Sequence, residues 1–193
     1  MQFKASGIYH LYNRGHNRQP IFFQARNYHY FLQKAKTYLL PHCNIICYCL
    51  MPNHFHFLIQ VKEDYPEADP NLTLYQTEYH SQGCFALNNN IGIMLRSYAR
   101  GVNHQEKRIG ALFQEKTKAK NHLELFYQIG DPSKVGVYPP LVCFNYIHQN
   151  PVKAGLVGST LEWPYSSARA YAGRAENQLC EMAIYQQMLQ LIA

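Results

Sequence analysis

The chain has 193 residues, 47% of them apolar, enough for one domain with a real core and too apolar for a disordered chain. No stretch approaches the ~20 apolar residues of a membrane helix, and Met1 to Gly7 lacks the apolar segment of a signal peptide, so a soluble cytoplasmic protein is expected. The formal net charge of +6 is unevenly spread: residues 1–62 hold no Asp or Glu, and Arg96 to Lys120 carries seven Lys or Arg against Glu106 and Glu115, a pattern that attracts polyanions.

In chain order, Ile8, His10 and Tyr12 alternate with Tyr9 and Leu11, which predicts a strand, and Asn13-Arg14-Gly15 turns the chain. Asn27 to Leu40 has helical periodicity, with Asn27 as the expected N-cap and Pro41 as the stop. Residues 43–61 are β-branched and aromatic with Pro52-Asn53 near the middle, so a hairpin of Ile45–Met51 and His54–Val61 is expected. Residues 62–90 hold five of the twelve acidic residues and read as a long surface loop. Ile91 to His104 is amphipathic, with Arg96, Arg100 and His104 along one face. A short extended segment follows within Arg108 to Lys118. A helix should begin near Pro139-Pro140 and end near Asn150, because the residue before Pro151 is pushed out of helical geometry. A last helix is expected over Cys180 to Ile192. The order strand, helix, strand, strand, helix, strand, helix predicts an α+β, ferredoxin-like sandwich with an antiparallel sheet and helices on one face. The divisions expected are a main domain over 1–173 and a helical extension over 174–193.

The sharpest local feature is His54-Phe55-His56. On a strand, residues i and i+2 share a face, so both imidazoles aim at one point and make half of a metal site. The pair alone is more simply read as two histidines on a polar sheet face. Tyr146 and Asn150, at i and i+4 on a helix, share a face as well. An Asn carbonyl oxygen can complete a His-His-O site for a hard divalent ion. Spacing alone does not single out this pair, since there are 16 tyrosines and Asn150 also suits a cap before Pro151. The six cysteines, Cys43, Cys47, Cys49, Cys84, Cys143 and Cys180, show no disulfide framework and are expected to be reduced.

The segments MPNHFHFLI, GALFQEKTKAK and YIHQNPVKAGLV, followed by LEWPYSS, resemble the HUH single-tyrosine transposases, in particular the branch associated with REP elements. The resemblance runs from Gly7 to about Gly173. It implies that His54 and His56 bind a metal, that Tyr146 is the nucleophile and that Asn150 fills a third ligand position held by Gln in some relatives. It also implies single-stranded DNA, often imperfect hairpins, as substrate, magnesium or manganese as cofactor, and a 5′-phosphotyrosine with a free 3′-hydroxyl as intermediate. A monomer or homodimer at the bacterial nucleoid would suit this role. Arg14, Arg18, Arg96, Arg100, Lys116, Lys118 and Lys120 are the expected DNA contacts. The length of the 62–90 segment and the tail after Gly173 are not accounted for by the motifs.

Other classes remain open on the sequence. A zinc module would use Cys43, Cys47, Cys49, His54 and His56, which lie close in the chain. A relative that binds DNA hairpins without cutting them would keep the same motifs. A metal-dependent RNA-processing enzyme is allowed by the charge pattern.

Overall fold

Alternation along β1 (Ile8–Arg14) divides the molecule into layers. Tyr9 and Leu11 enter one apolar cluster and Ile8 enters another, as the two-residue period of a strand requires. The computed structural model describes residues 1–65, 86–122, 139–177 and 179–191. The order of strands and α-helices in them is β1, α1 (Ala25–Leu39), β2 (Cys43–Met51), β3 (His54–Val61), α2 (Ala86–Gln105), β4 (Lys118–Asn121), α3 (Pro139–Lys153), α4 (Ala168–Tyr171) and α5 (Met182–Gln190). The four strands pair antiparallel in the order β2-β3-β1-β4. With one helix after β1 and another after β3, this is the ferredoxin-like α+β arrangement that the sequence predicts. None of the helices among the described residues is long and apolar enough to cross a membrane.

One face of the sheet is covered by α1 and α2. Phe31 of α1 sits at the centre, its ring 5.0 Å from Phe55, 4.8 Å from Tyr98 and 5.3 Å from Phe22. Coverage goes further than helices on one face. Leu141, Phe144 and Ile147 of α3, with Ile184 and Met188 of α5, pack on Ile8, Ile46, Cys47 and Leu58 across the opposite face. That face is apolar toward one end and carries His10, Tyr12, His54, His56 and Lys118 toward the other. A helix therefore seals only part of it, and a cleft remains beside α3.

Several boundaries differ from the sequence reading for local reasons. α1 starts at Ala25 on the N-cap Gln24; Asn27 is its third residue and closes a capping box by accepting from the Gln24 backbone N–H at 2.9 Å. α2 is already helical at Ala86, so residues 86–90 of the expected 62–90 loop are helical; residues 66–85 lie outside the described residues. The strand expected within Arg108 to Lys118 begins only at Lys118. Leu112 and Phe113 look strand-like but serve as core anchors, and Phe113 makes a single bridge to Gly15. α3 runs past Pro151 to Lys153. Proline has no N–H for the Ile147 carbonyl, and the Asn150 side chain stands in, its Nδ2 donating to the Tyr146 carbonyl at 2.8 Å and to that of Ile147 at 3.4 Å.

Candidate active site

The β2–β3 turn sets the first imidazole. Gly15 N–H donates to the Asn53 carbonyl at 2.8 Å, and Ile21 and Phe22 both donate to that of Pro52, so the two-residue turn is clamped from the β1 side. Asn53 Nδ2 donates to the Arg18 carbonyl at 3.1 Å. A carbonyl only accepts, so the amide orientation is set, and Asn53 Oδ1 must accept from His54 Nδ1–H at 2.6 Å. His54 then presents an unprotonated Nε2. The same logic holds at Asn150: its Nδ2 serves two helix carbonyls, which leaves Oδ1 as the outward atom.

His56 is packed more deeply. Its Nδ1 lies 2.8 Å from His10 Nε2, and its own Nε2 is buried without a hydrogen-bond partner among the described residues. The His54 and His56 rings stand 4.9 Å apart at right angles. Tyr146, on the rim of α3, is 42% exposed, and its ring centre lies 5.8 Å from that of His56. His54, His56, Tyr146 and Asn150 line one cleft of about 520 Å³, together with Tyr12, Arg14, Lys116, Lys118 and Lys153. One chain thus brings the paired imidazoles, the phenol and the amide oxygen together.

Electrostatics favour neutral imidazoles and an anionic guest. Burial, then the Arg14 charge, lowers His54 to about 4. Burial, followed by His10, His54 and Arg14, lowers His56 to about 2. Both rings therefore keep a lone pair at neutral pH. Arg14 faces His54 across the β1–β3 ladder, Lys118 faces Tyr12 across β1–β4, and the Lys153 ammonium sits 5.3 Å from the Tyr146 ring centre. Among the described residues the cleft lining has four cations and no carboxylate. An orphaned buried nitrogen, a second free imidazole nitrogen and an amide oxygen could together hold a divalent cation, with water or a phosphate oxygen filling its remaining positions.

A solved structure of a REP-associated tyrosine transposase bound to a REP hairpin is similar over 89% of this chain and 82% of that one, at 13% identity and a TM-score of 0.49. No protein-family model matches the sequence, and no curated protein matches it either.

Not every expected DNA contact gathers here. Arg14, Lys116 and Lys118 line the cleft. Lys120 is next to it on β4, opposite His10. Arg18 is exposed in the 3-10 turn under Asn53. Arg96 and Arg100 are exposed on α2, which packs on the other face of the sheet, so they do not share the cleft. Sequence reasoning missed His10 and Lys153. Lys153 stands inside the NPVKAG string; His10 was visible only as an alternating strand residue. LEWPYSS also gains a physical role. Ser167 Oγ accepts from Tyr48 N–H at 3.0 Å and from His148 Nε2–H at 2.8 Å, and Trp163 Nε1 donates to the Leu50 carbonyl at 2.9 Å. These bonds pin α3 to the β2 edge and so set the height of Tyr146.

The zinc set that sequence proximity left open does not form. A bulge between Ile45 and Cys47 reverses the facing of β2. Cys43 therefore belongs to the α1–α2 side, and Cys47 and Cys49 to the other. Burial raises all three thiols, Cys43 and Cys49 to about 12.

Proposed function

We propose that this protein nicks and rejoins single-stranded DNA as a tyrosine transposase, with Tyr146 as the nucleophile. The observation that carries this reading is the half-exposed Tyr146 beside the His54–His56 pair, in a cleft lined by cations. The motif resemblance assigns roles to the same residues. His54 Nε2, His56 Nε2 and Asn150 Oδ1 would hold one Mg²⁺ or Mn²⁺. Such an ion supplies positive charge that polarises and positions the scissile phosphate.

The chain's own residues account for the rest. Arg14, Lys116, Lys118 and Lys153 draw the phosphate backbone into the cleft. Tyr12 and Tyr146 offer ring faces to unpaired bases. Asn53 holds His54, and His10 accepts from His56 Nδ1–H, so both rings point their lone pairs inward. The Tyr146 oxygen forms a bond to phosphorus as the bond to the 3′ oxygen breaks. The phenol proton passes to water, and the leaving oxygen takes one up. Attack by another 3′-hydroxyl reverses the step and transfers the strand. Release of Tyr146 on rejoining restores the enzyme.

The test is a single-stranded suicide oligonucleotide drawn from the flanks of the gene, with Mg²⁺ or Mn²⁺ and a chelator control. A covalent protein–DNA adduct is expected. Tyr146→Phe should abolish it while leaving DNA affinity within about twofold. An adduct that survives in Tyr146→Phe rejects the assignment, and binding without any adduct in the parent chain points to a hairpin-binding protein that does not cut.

A further inference from the structure

Below the cleft, three donors outside the His54–His56–Asn150 set meet. His10 on β1, His122 just after β4 and Cys143 on α3 bring one ligand atom each within 4.8 Å of one another. Cys143 is buried at 4% exposure, and His122 Nε2 is buried without a partner among the described residues. The function proposed above uses neither His122 nor Cys143.

We propose that His10, His122 and Cys143 form a second metal site, selective for zinc-type cations, whose occupation disables His56 as a ligand in the cleft. Two imidazoles and a thiol are the donors of a borderline-soft cation and a poor match to magnesium, which prefers oxygen. Bond lengths of ~2.0–2.3 Å in a tetrahedral zinc site place its ligand atoms about 3.5 Å apart. Closing the site thus needs roughly an ångström of movement, within reach of side-chain rotation. Three protein ligands leave the fourth position to water. Binding releases the Cys143 thiol proton to solvent. The thiolate left behind offsets the charge of the metal next to Lys120, a compensation that the neutral donors of the cleft lack.

The link to the cleft is a single proton. His10 Nε2 and His56 Nδ1 are 2.8 Å apart, so one of them donates to the other. For His56 to offer Nε2 as a ligand, its proton must sit on Nδ1 and His10 must accept. If His10 binds metal through Nδ1, its own proton moves to Nε2 and it must donate. His56 then carries its proton on Nε2 and has no lone pair to give there. If His10 binds through Nε2, the bond to His56 is lost and the ring is no longer held. In the first case the two metal-binding arrangements exclude each other; in the second His56 keeps its lone pair but loses the acceptor that orients it.

The site itself stands apart from the transposase reading; its effect on the cleft rests on that reading. Cobalt(II) titration of the full-length chain reads the site directly. One equivalent should produce a thiolate-to-cobalt charge-transfer band with tetrahedral visible absorption, retained in His54→Ala and lost in Cys143→Ser and His122→Ala. A folded parent chain with no band, or an undiminished band in Cys143→Ser, overturns the site. Should circular dichroism show Cys143→Ser unfolded, His122→Ala decides alone. Imidazole nitrogen-15 spectra with and without Zn²⁺ read the switch. The His56 proton should leave Nδ1, and an unchanged His56 tautomer on zinc saturation overturns the coupling. Neither readout needs cleavage, so an intact cobalt band in a chain that never forms a DNA adduct counts against the transposase reading only.

Discussion

Asn53 and Asn150 use the same device. Each turns its amide NH₂ toward a main-chain carbonyl, Asn53 to that of Arg18 and Asn150 to those of Tyr146 and Ile147, which leaves its oxygen free for another role. For Asn53 that oxygen takes the His54 proton and leaves the ring ready to ligate. Asn53→Ala should therefore raise the Mn²⁺ concentration needed for half-maximal cleavage by roughly 10- to 100-fold, with DNA affinity nearly unchanged. Buried imidazoles also make the fold sensitive to acid. Burial is the first cause lowering His10, His122 and His148 to about 4. Their unfolded value is ~6.5, so between 6.5 and 4 the unfolded chain takes up protons that the fold refuses. Stability is flat above that window and falls as pH drops through it. The buried His148 alone accounts for up to about 2 kcal/mol at pH 5, at ~1.36 kcal/mol per pH unit. His148→Gln keeps a donor for Ser167, and the gap between its melting temperatures at pH 7 and pH 5 should be smaller than in the parent chain.

At the scale of elements, the strand that bears the imidazoles is supported from behind. Phe55 and Phe57 alternate with His54 and His56, and Phe31 of α1 packs on both, with ring centres 5.0 and 6.1 Å away. Phe31→Ala should cost about 3–5 kcal/mol in urea unfolding, the usual range for a truncated core aromatic. It should also lower cleavage, because β3 loses the surface that holds its register. β4 illustrates the opposite economy. Ala119 packs inward while Lys118 and Lys120 share the cleft face, so this edge strand places positive charge beside the site.

Across the whole molecule, the sheet separates two basic surfaces. Arg14, Lys116, Lys118 and Lys153 are on the α3 side. Arg96 and Arg100 are on the α2 side, behind the core. A short single strand bound in the cleft cannot touch both. With an oligonucleotide of a few nucleotides, Lys118→Ala should weaken binding and lower the slope of log affinity against log salt by about 0.7, the value for one phosphate contact on a single strand. Arg100→Ala should leave that slope unchanged with the short strand. A change there appears only if a longer strand or hairpin wraps to the α2 face, which a series of increasing lengths will reveal.

Local rules carried much of this chain. The two-residue period of β1 and β3, the Pro52-Asn53 turn and the stripes of α1 and α2 depend on neighbours in sequence, so the ferredoxin-like order was legible, as was the shared face of His54 and His56. The i, i+4 rule gave Tyr146 and Asn150 a shared helix face, though spacing alone did not single them out from the other tyrosines. What the sequence could not decide were distances between elements. That α3 lies over the His-bearing face, that His10 touches His56, that a bulge parts Cys43 from Cys47 and Cys49, and that Arg96 and Arg100 point away from the cleft all follow from packing. The reason is physical: periodicity sets which way a side chain faces within its own element, whereas only the burial of one apolar face against another sets which elements meet.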